Sequence, residues 1–159
     1  MPGPNQSPDV SDFQDLRLLP RLDKVIPSDW RLLDDNVREI TAAIARTACW
    51  SDVETDIETI GLAVREALAN AIVHGNHCDP EKTVHIFVAV NENCDLFVSV
   101  KDSGSGFDPS ELPNPTAAEN LLAPHGRGIF LIRQLMDEVD FTFDHGTEIR
   151  MLRRQNPLE

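Results

Sequence analysis

The sequence has no apolar run of about 18 residues, so it predicts no helix that crosses a membrane. Its start, MPGPNQSPDVSDFQ, lacks both a basic region and an apolar stretch, which argues against a secretory signal and makes the cytoplasm the expected compartment. Positive charge is scarce: 14 Lys and Arg face 27 Asp and Glu, for a net charge of −13. Direct nucleic-acid binding needs clustered cations and is not expected; the acidity serves solubility or a basic protein partner. The three cysteines, Cys49, Cys78 and Cys94, have no CxxC spacing, so no disulfide framework or zinc ribbon is predicted and all three are expected as reduced thiols. There is no internal repeat. A Gly-Lys-Ser/Thr phosphate loop is missing, as are the HRD and DFG signatures, which excludes P-loop enzymes and eukaryotic-type protein kinases.

What is present predicts one folded unit. Residues 1–14 are rich in Pro, Gly, Ser, Asn and Asp and read as a disordered tail, with 155–159 as a second tail. Leu16 to Ile26 reads as a strand that Pro20 confines to a sheet edge. Ser28 and Asp29 can cap a helix over 30–47. Ser51 and Glu54 fit a capping box for a second helix, with Ile57, Ile60, Val64, Leu68 and Ala71 on one face and Gly75 as a left-handed cap. TVHIFVAV and CDLFVSV read as a hairpin, residues 107–125 as a mobile loop, and IFLIRQLMDEV as a short helix. VDFTF and TEIRML close the order as two strands about a turn. Helices laid on one face of a mixed, mainly antiparallel sheet make an α+β two-layer α/β sandwich.

Three segments carry polar chemistry. In EALANAIVHGN, Glu66 and Asn70 stand one helical turn apart, roughly 6 Å at Cβ. Alone, they read as a solvated stripe. DSGSGFDP follows a strand, so Asp102 could accept hydrogen bonds while Gly104 and Gly106 let a ligand come close to backbone. HGRG opens a helix, where free N–H groups and Arg127 suit an anion. His74, His77 and Cys78 are considered as metal ligands and set aside, because no fourth ligand is placed by pattern.

As an ordered set, EAxxNAxxHG, DxGxGFDP and GRGxFLxxxLMDEV resemble the ATP-binding fold of gyrase, the histidine kinases and the mismatch-repair ATPases, a Bergerat-type fold. They are most similar to the small anti-sigma factor serine kinases of bacterial partner-switching systems, over about residues 15–153. The resemblance implies a histidine-kinase-like ATPase domain at 15–154, with ATP and Mg²⁺ as cofactors. It implies Glu66 as general base, Asn70 as the Mg²⁺ ligand, and His74 at the phosphate end. Asp102 would read the adenine amino group, with Gly104 and Gly106 making room and Thr147 supporting the pocket. Gly126, Arg127 and Gly128 would wrap the phosphates under a lid formed by 107–125. The implied partners are a STAS-type antagonist protein as substrate, a sigma factor, and a second copy of the chain meeting through the first strand and helix. Residues 107–125 hold no Lys or Arg, and Pro124 stands where some members carry an arginine. That departure keeps a second expectation open: a catalytically weak, nucleotide-gated module that sequesters its partner.

Overall fold

The computed structural model describes residues 17–50, 53–104, 127–143 and 145–155 of the chain. Its strands are β1 (Leu19–Pro27), β2 (Thr83–Val90), β3 (Leu96–Asp102), β4 (Glu138–Phe143) and β5 (Thr147–Arg153). They form one sheet in the order β1-β2-β3-β5-β4, and every pairing is antiparallel. The helices are α1 (Leu33–Ala45), α2 (Glu54–Ala69) and α3 (Arg127–Leu135). The element order is the one the sequence predicts, including β1 at an edge. The expected lid at 107–125 and both tails lie outside the described residues, apart from Gln155.

Alternation along the strands decides which face the helices cover. Across the register, Ile86 pairs with Val100, Val88 with Val98, Val98 with Met151, and Val100 with Ile149. All six of these residues are at most 2% exposed, and they join Ile40, Ile44, Ile60, Val64, Leu68 and Ile132 from the helices in one core. Burying a side chain of this size contributes about 1.5–3 kcal/mol, so this layer is the main source of stability. α2 lies between α1 and α3. Buried Ala63, Ala67 and Ala71 let it sit close to the sheet, and Arg65 forms an ion pair with Asp34 of α1.

Several local details differ from the sequence expectations. The first helix begins as a 3-10 turn at Trp30–Leu32, with Asp29 accepting the Arg31 N–H at 3.0 Å, before α1 proper. Val53, not a Ser or Asp, occupies the cap position of α2 and makes no side-chain cap bond; Ser51 lies outside the described residues. Gly75 does not take a left-handed conformation: His77 and Cys78 do, with φ of 53° and 57°. The reduced-thiol expectation is also corrected. Cys49, in the turn between α1 and α2, is disulfide-bonded to Cys94 in the β2–β3 turn, while Cys78 is free and exposed. The pairing joins cysteines 45 residues apart, which sequence spacing alone does not reveal.

Candidate functional site

α2 does not stop at Ala69 but widens into a π-helical segment, Asn70–Gly75, in which the Asn76 N–H reaches the Ala71 carbonyl at 2.9 Å. Such segments admit an extra residue per turn and are frequent at functional sites. Glu66 occupies the last turn of α2 and Asn70 opens the widened one. Both are partly exposed. The first turn of α3 lies directly against them. A Cβ built on Gly128 would stand 2.8 Å from Glu66 Oε2 and 3.4 and 3.5 Å from Asn70 Nδ2 and Oδ1. Only glycine leaves that space open. Asn70 Nδ2 is buried and has no hydrogen-bond partner among the described residues.

Asp102 ends β3 opposite Val84. It is 2% exposed, and its Oδ1 accepts the N–H groups of Gly104 at 3.1 Å and Thr147 at 3.2 Å. Its Oδ2 is buried with no partner among the described residues. Burial raises the carboxyl's pKa above the usual aspartate range, opposed by the two backbone N–H bonds and by the charges of Lys82 and Lys101. Glycines crowd this carboxyl. A Cβ at Gly75 would lie 2.1 Å from Asp102 Oδ2, and one at Gly104 would lie 2.0 Å from the Gly75 carbonyl. Gly146, at φ +132°, would strike the Asp102 carbonyl at 2.2 Å.

These contacts bring the three sequence segments together. Gly75 of the first touches Asp102 of the second, and Gly128 of the third touches Glu66 and Asn70 of the first. Thr147 joins them through Asp102. His74 is exposed on the π-helical segment. Arg127 is the first residue of α3, while Gly106 and Gly126 lie outside the described residues.

Sequence reasoning missed Asn76. Fully buried, it donates to Ser28 Oγ at 2.8 Å and to the Thr83 carbonyl at 2.9 Å, and accepts the Ser103 N–H at 3.1 Å. One amide thus ties the end of β1, the start of β2 and the end of β3 to the end of the π-helical segment. The signal was the amide directly after His-Gly at a helix end. It also missed Gly75 and Gly146 as neighbours of Asp102.

Chemically, the arrangement holds an unspent buried acceptor at one side and a carboxylate beside a carboxamide at the other. A buried polar atom without a partner costs about 1–3 kcal/mol, which a ligand can recover. Asp102 Oδ2 suits an N–H donor. Asn70, with both amide atoms turned toward the opening that Gly128 leaves, suits a hard cation through its oxygen. The start of α3 offers backbone N–H groups to an anion. The residues therefore fit a magnesium nucleotide.

Comparison with known proteins agrees. The family described as Histidine kinase-like ATPase domain matches residues 26–153. An anti-sigma F factor of Clostridium perfringens is 34% identical over 121 residues, covering 74% of this chain and 84% of that protein. The Serine-protein kinase RsbW of Bacillus licheniformis is 32% identical over 64% of this chain and 66% of its own length. Among solved structures, the RsbU and RsbW domains of a Mycobacterium tuberculosis protein superpose with a TM-score of 0.59 at 17% identity, over 86% of this chain and 32% of that one. This last likeness concerns the fold. By the family match and by a relative 34% identical over 84% of its own length, the chain belongs to the histidine kinase-like ATPase family, among the anti-sigma factor kinases of the partner-switching type.

Proposed function

We propose that the protein is an ATP- and Mg²⁺-dependent serine/threonine kinase acting on a STAS-type antagonist protein, and that it also binds a sigma factor. The observation that carries this reading is the meeting of Glu66, Asn70 and Gly128, together with Asp102, which lies against Gly75 of the same helical segment and whose Oδ2 is buried without a partner among the described residues. Asp102 Oδ2 accepts from the exocyclic amino group of adenine, and Gly104 and Gly106 leave room for the base. Thr147 holds the Asp102 carboxyl in place through its N–H. Gly126, Arg127 and Gly128 line the phosphates, with His74 at the same end.

When bound, Mg²⁺ neutralises phosphate charge, with Asn70 as its protein ligand. Glu66 accepts the proton of the acceptor hydroxyl while that oxygen bonds to the γ-phosphorus. The bond from the γ-phosphorus to the bridging oxygen breaks, and ADP leaves. Gly128, lacking a side chain, keeps Glu66 within reach of the acceptor.

Incubating the protein with labelled ATP, Mg²⁺ and a purified STAS-domain antagonist tests the reading; the label is expected on the antagonist. No transfer from wild type, or equal transfer from Glu66→Ala, would refute it. Asn70→Ala is expected to lose Mg²⁺-dependent nucleotide binding. One feature favours the second reading, a nucleotide-gated binding module: residues 107–125 supply no cation to the phosphates. Antagonist binding without single-turnover transfer distinguishes it.

Homodimerisation through β1 and α1 is supported by the edge position of β1 and by Leu19, Val25 and Trp30, which are 52%, 61% and 66% exposed. The cytoplasm is the proposed compartment. No described helix is long and apolar enough to cross a membrane.

A further inference from the structure

The outward strip of α2 carries more than Glu66 and Asn70. Leu62 lies one turn before Glu66, and Val73 lies three residues beyond Asn70 in the π-helical segment. Each is 43% exposed, whereas Ile60, Val64 and Leu68 on the inward face are fully buried. The fold uses the inward residues and leaves these two against solvent. On the α1 side of the strip Arg65 is engaged with Asp34, so its charge is used within the chain. On the α3 side Gly128 borders Glu66 and Asn70, the side that the nucleotide takes in the kinase reading. Leu62 and Val73 are the exposed large apolar side chains of α2 and its π-helical extension, on the same outward strip as Glu66 and Asn70.

A general base must come within about 2.6–3.2 Å of the oxygen whose proton it takes. Leu62 is about 6 Å from Glu66 along the helix surface, and one extended residue spans about 3.3–3.6 Å. Val73, seven residues beyond Glu66, is about 10 Å away along the helix. An acceptor chain that places its hydroxyl on Glu66 and runs along the helix therefore lays a neighbour about two positions away on Leu62 and one about three positions away, on the other side, on Val73. We propose that Leu62 and Val73 are specificity-determining residues of the transfer, seating apolar side chains that flank the phosphorylated serine or threonine of the acceptor protein. This rests on the kinase reading above. Polar or acidic flanks are disfavoured because burying them against Leu and Val leaves them without partners.

The test uses Leu62→Gln and Val73→Gln, which keep the strip's bulk but make it polar. Phosphotransfer to a purified STAS-domain antagonist is measured at saturating MgATP, beside nucleotide affinity and the thermal midpoint. Each variant is expected to raise KM for the antagonist about tenfold, the scale of a lost apolar pocket contact, with nucleotide affinity and midpoint unchanged. Replacing the apolar residues that flank the antagonist's serine with Asp should raise KM on wild-type enzyme by a similar factor. Wild-type KM in both Gln variants overturns the proposal while leaving the kinase reading intact. So does a loss of nucleotide affinity or of thermal stability that matches the loss of transfer. An inactive wild type overturns the kinase reading and this proposal together.

Discussion

The two ends of β3, about 20 Å apart along the strand from Leu96 to Asp102, treat their polar groups in opposite ways. At the Leu96 end the groups satisfy one another. Asn91 Oδ1 accepts the N–H groups of Asn93 and Asp95, both at 2.9 Å, and buried Trp50 donates its indole N–H to the Cys94 carbonyl at 2.9 Å. The Cys49–Cys94 disulfide then fastens that turn to the helices. At the Asp102 end a carboxylate oxygen and a carboxamide nitrogen are buried and left without partners among the described residues. The first end spends its hydrogen bonds on the fold, and the second holds them for a ligand. Changes at the first end should therefore move stability alone, and changes at the second should move binding or catalysis without lowering stability at neutral pH.

The largest separation is expected from Glu66→Gln. Phosphotransfer should fall roughly 10²–10⁴-fold, the usual worth of a positioned base, with nucleotide affinity retained in a calorimetric titration. Next comes the closed end. In an oxidised sample, Cys49→Ser should lower stability by up to about 4 kcal/mol in the loop-closure treatment for a separation of 45 residues. Denaturant unfolding with and without dithiothreitol checks this: reduced wild type should match the variant, and nucleotide affinity should not change.

Asp102→Asn should cost about 1.5–3 kcal/mol of nucleotide affinity, because an N–H donor replaces the free acceptor. Fold stability should not fall, since the Asn oxygen can still accept from Gly104 and Thr147. The pH dependence has two signs here. Asp102 titrates higher folded than unfolded, so its contribution to stability declines as pH rises through that interval. Nucleotide affinity, for which the ionised carboxylate is the stronger acceptor, instead weakens as pH falls through the raised folded pKa. Titrations of wild type and Asp102→Asn over that range should show both trends in wild type only. The smallest effect is expected from Gly128→Ala. The added methyl, 2.8 Å from Glu66 Oε2, can be relieved by moving the end of that side chain. Transfer should then drop about tenfold by misplacing the base, with the thermal midpoint nearly unchanged.

Much of this was legible in the sequence, for identifiable reasons. Ile60, Val64 and Leu68 announce the inward face of α2 because helical period is local, and strand alternation does the same for β2, β3 and β5. Glu66, Asn70, Asp102 and Gly128 stood out because three short segments in fixed order resemble a known set. What stayed hidden depends on contacts between distant residues. Asn76 earns its place only when Ser28, Thr83 and Ser103 are brought to it, and Cys49 meets Cys94 only once the sheet has formed. The π-helical turn at Asn70–Gly75 leaves the same apolar spacing as an ordinary helix end, so periodicity passes over it.

The glycines around Asp102 also constrain how this pocket can change. Gly75 is held by a side chain: an alanine there collides with the Asp102 carboxylate and with its Cβ at 2.8 Å, so only a glycine at 102 would relieve the collision. Gly104 and Gly146 are held by main chain, the carbonyls of Gly75 and Asp102, and no exchange of a neighbouring side chain frees them. Position 75 is thus open to compensated, two-step substitution, at the expense of the acceptor that Asp102 provides. Positions 104 and 146 have no such route. Mutational drift at this end of the sheet is therefore epistatic at one glycine and blocked at two.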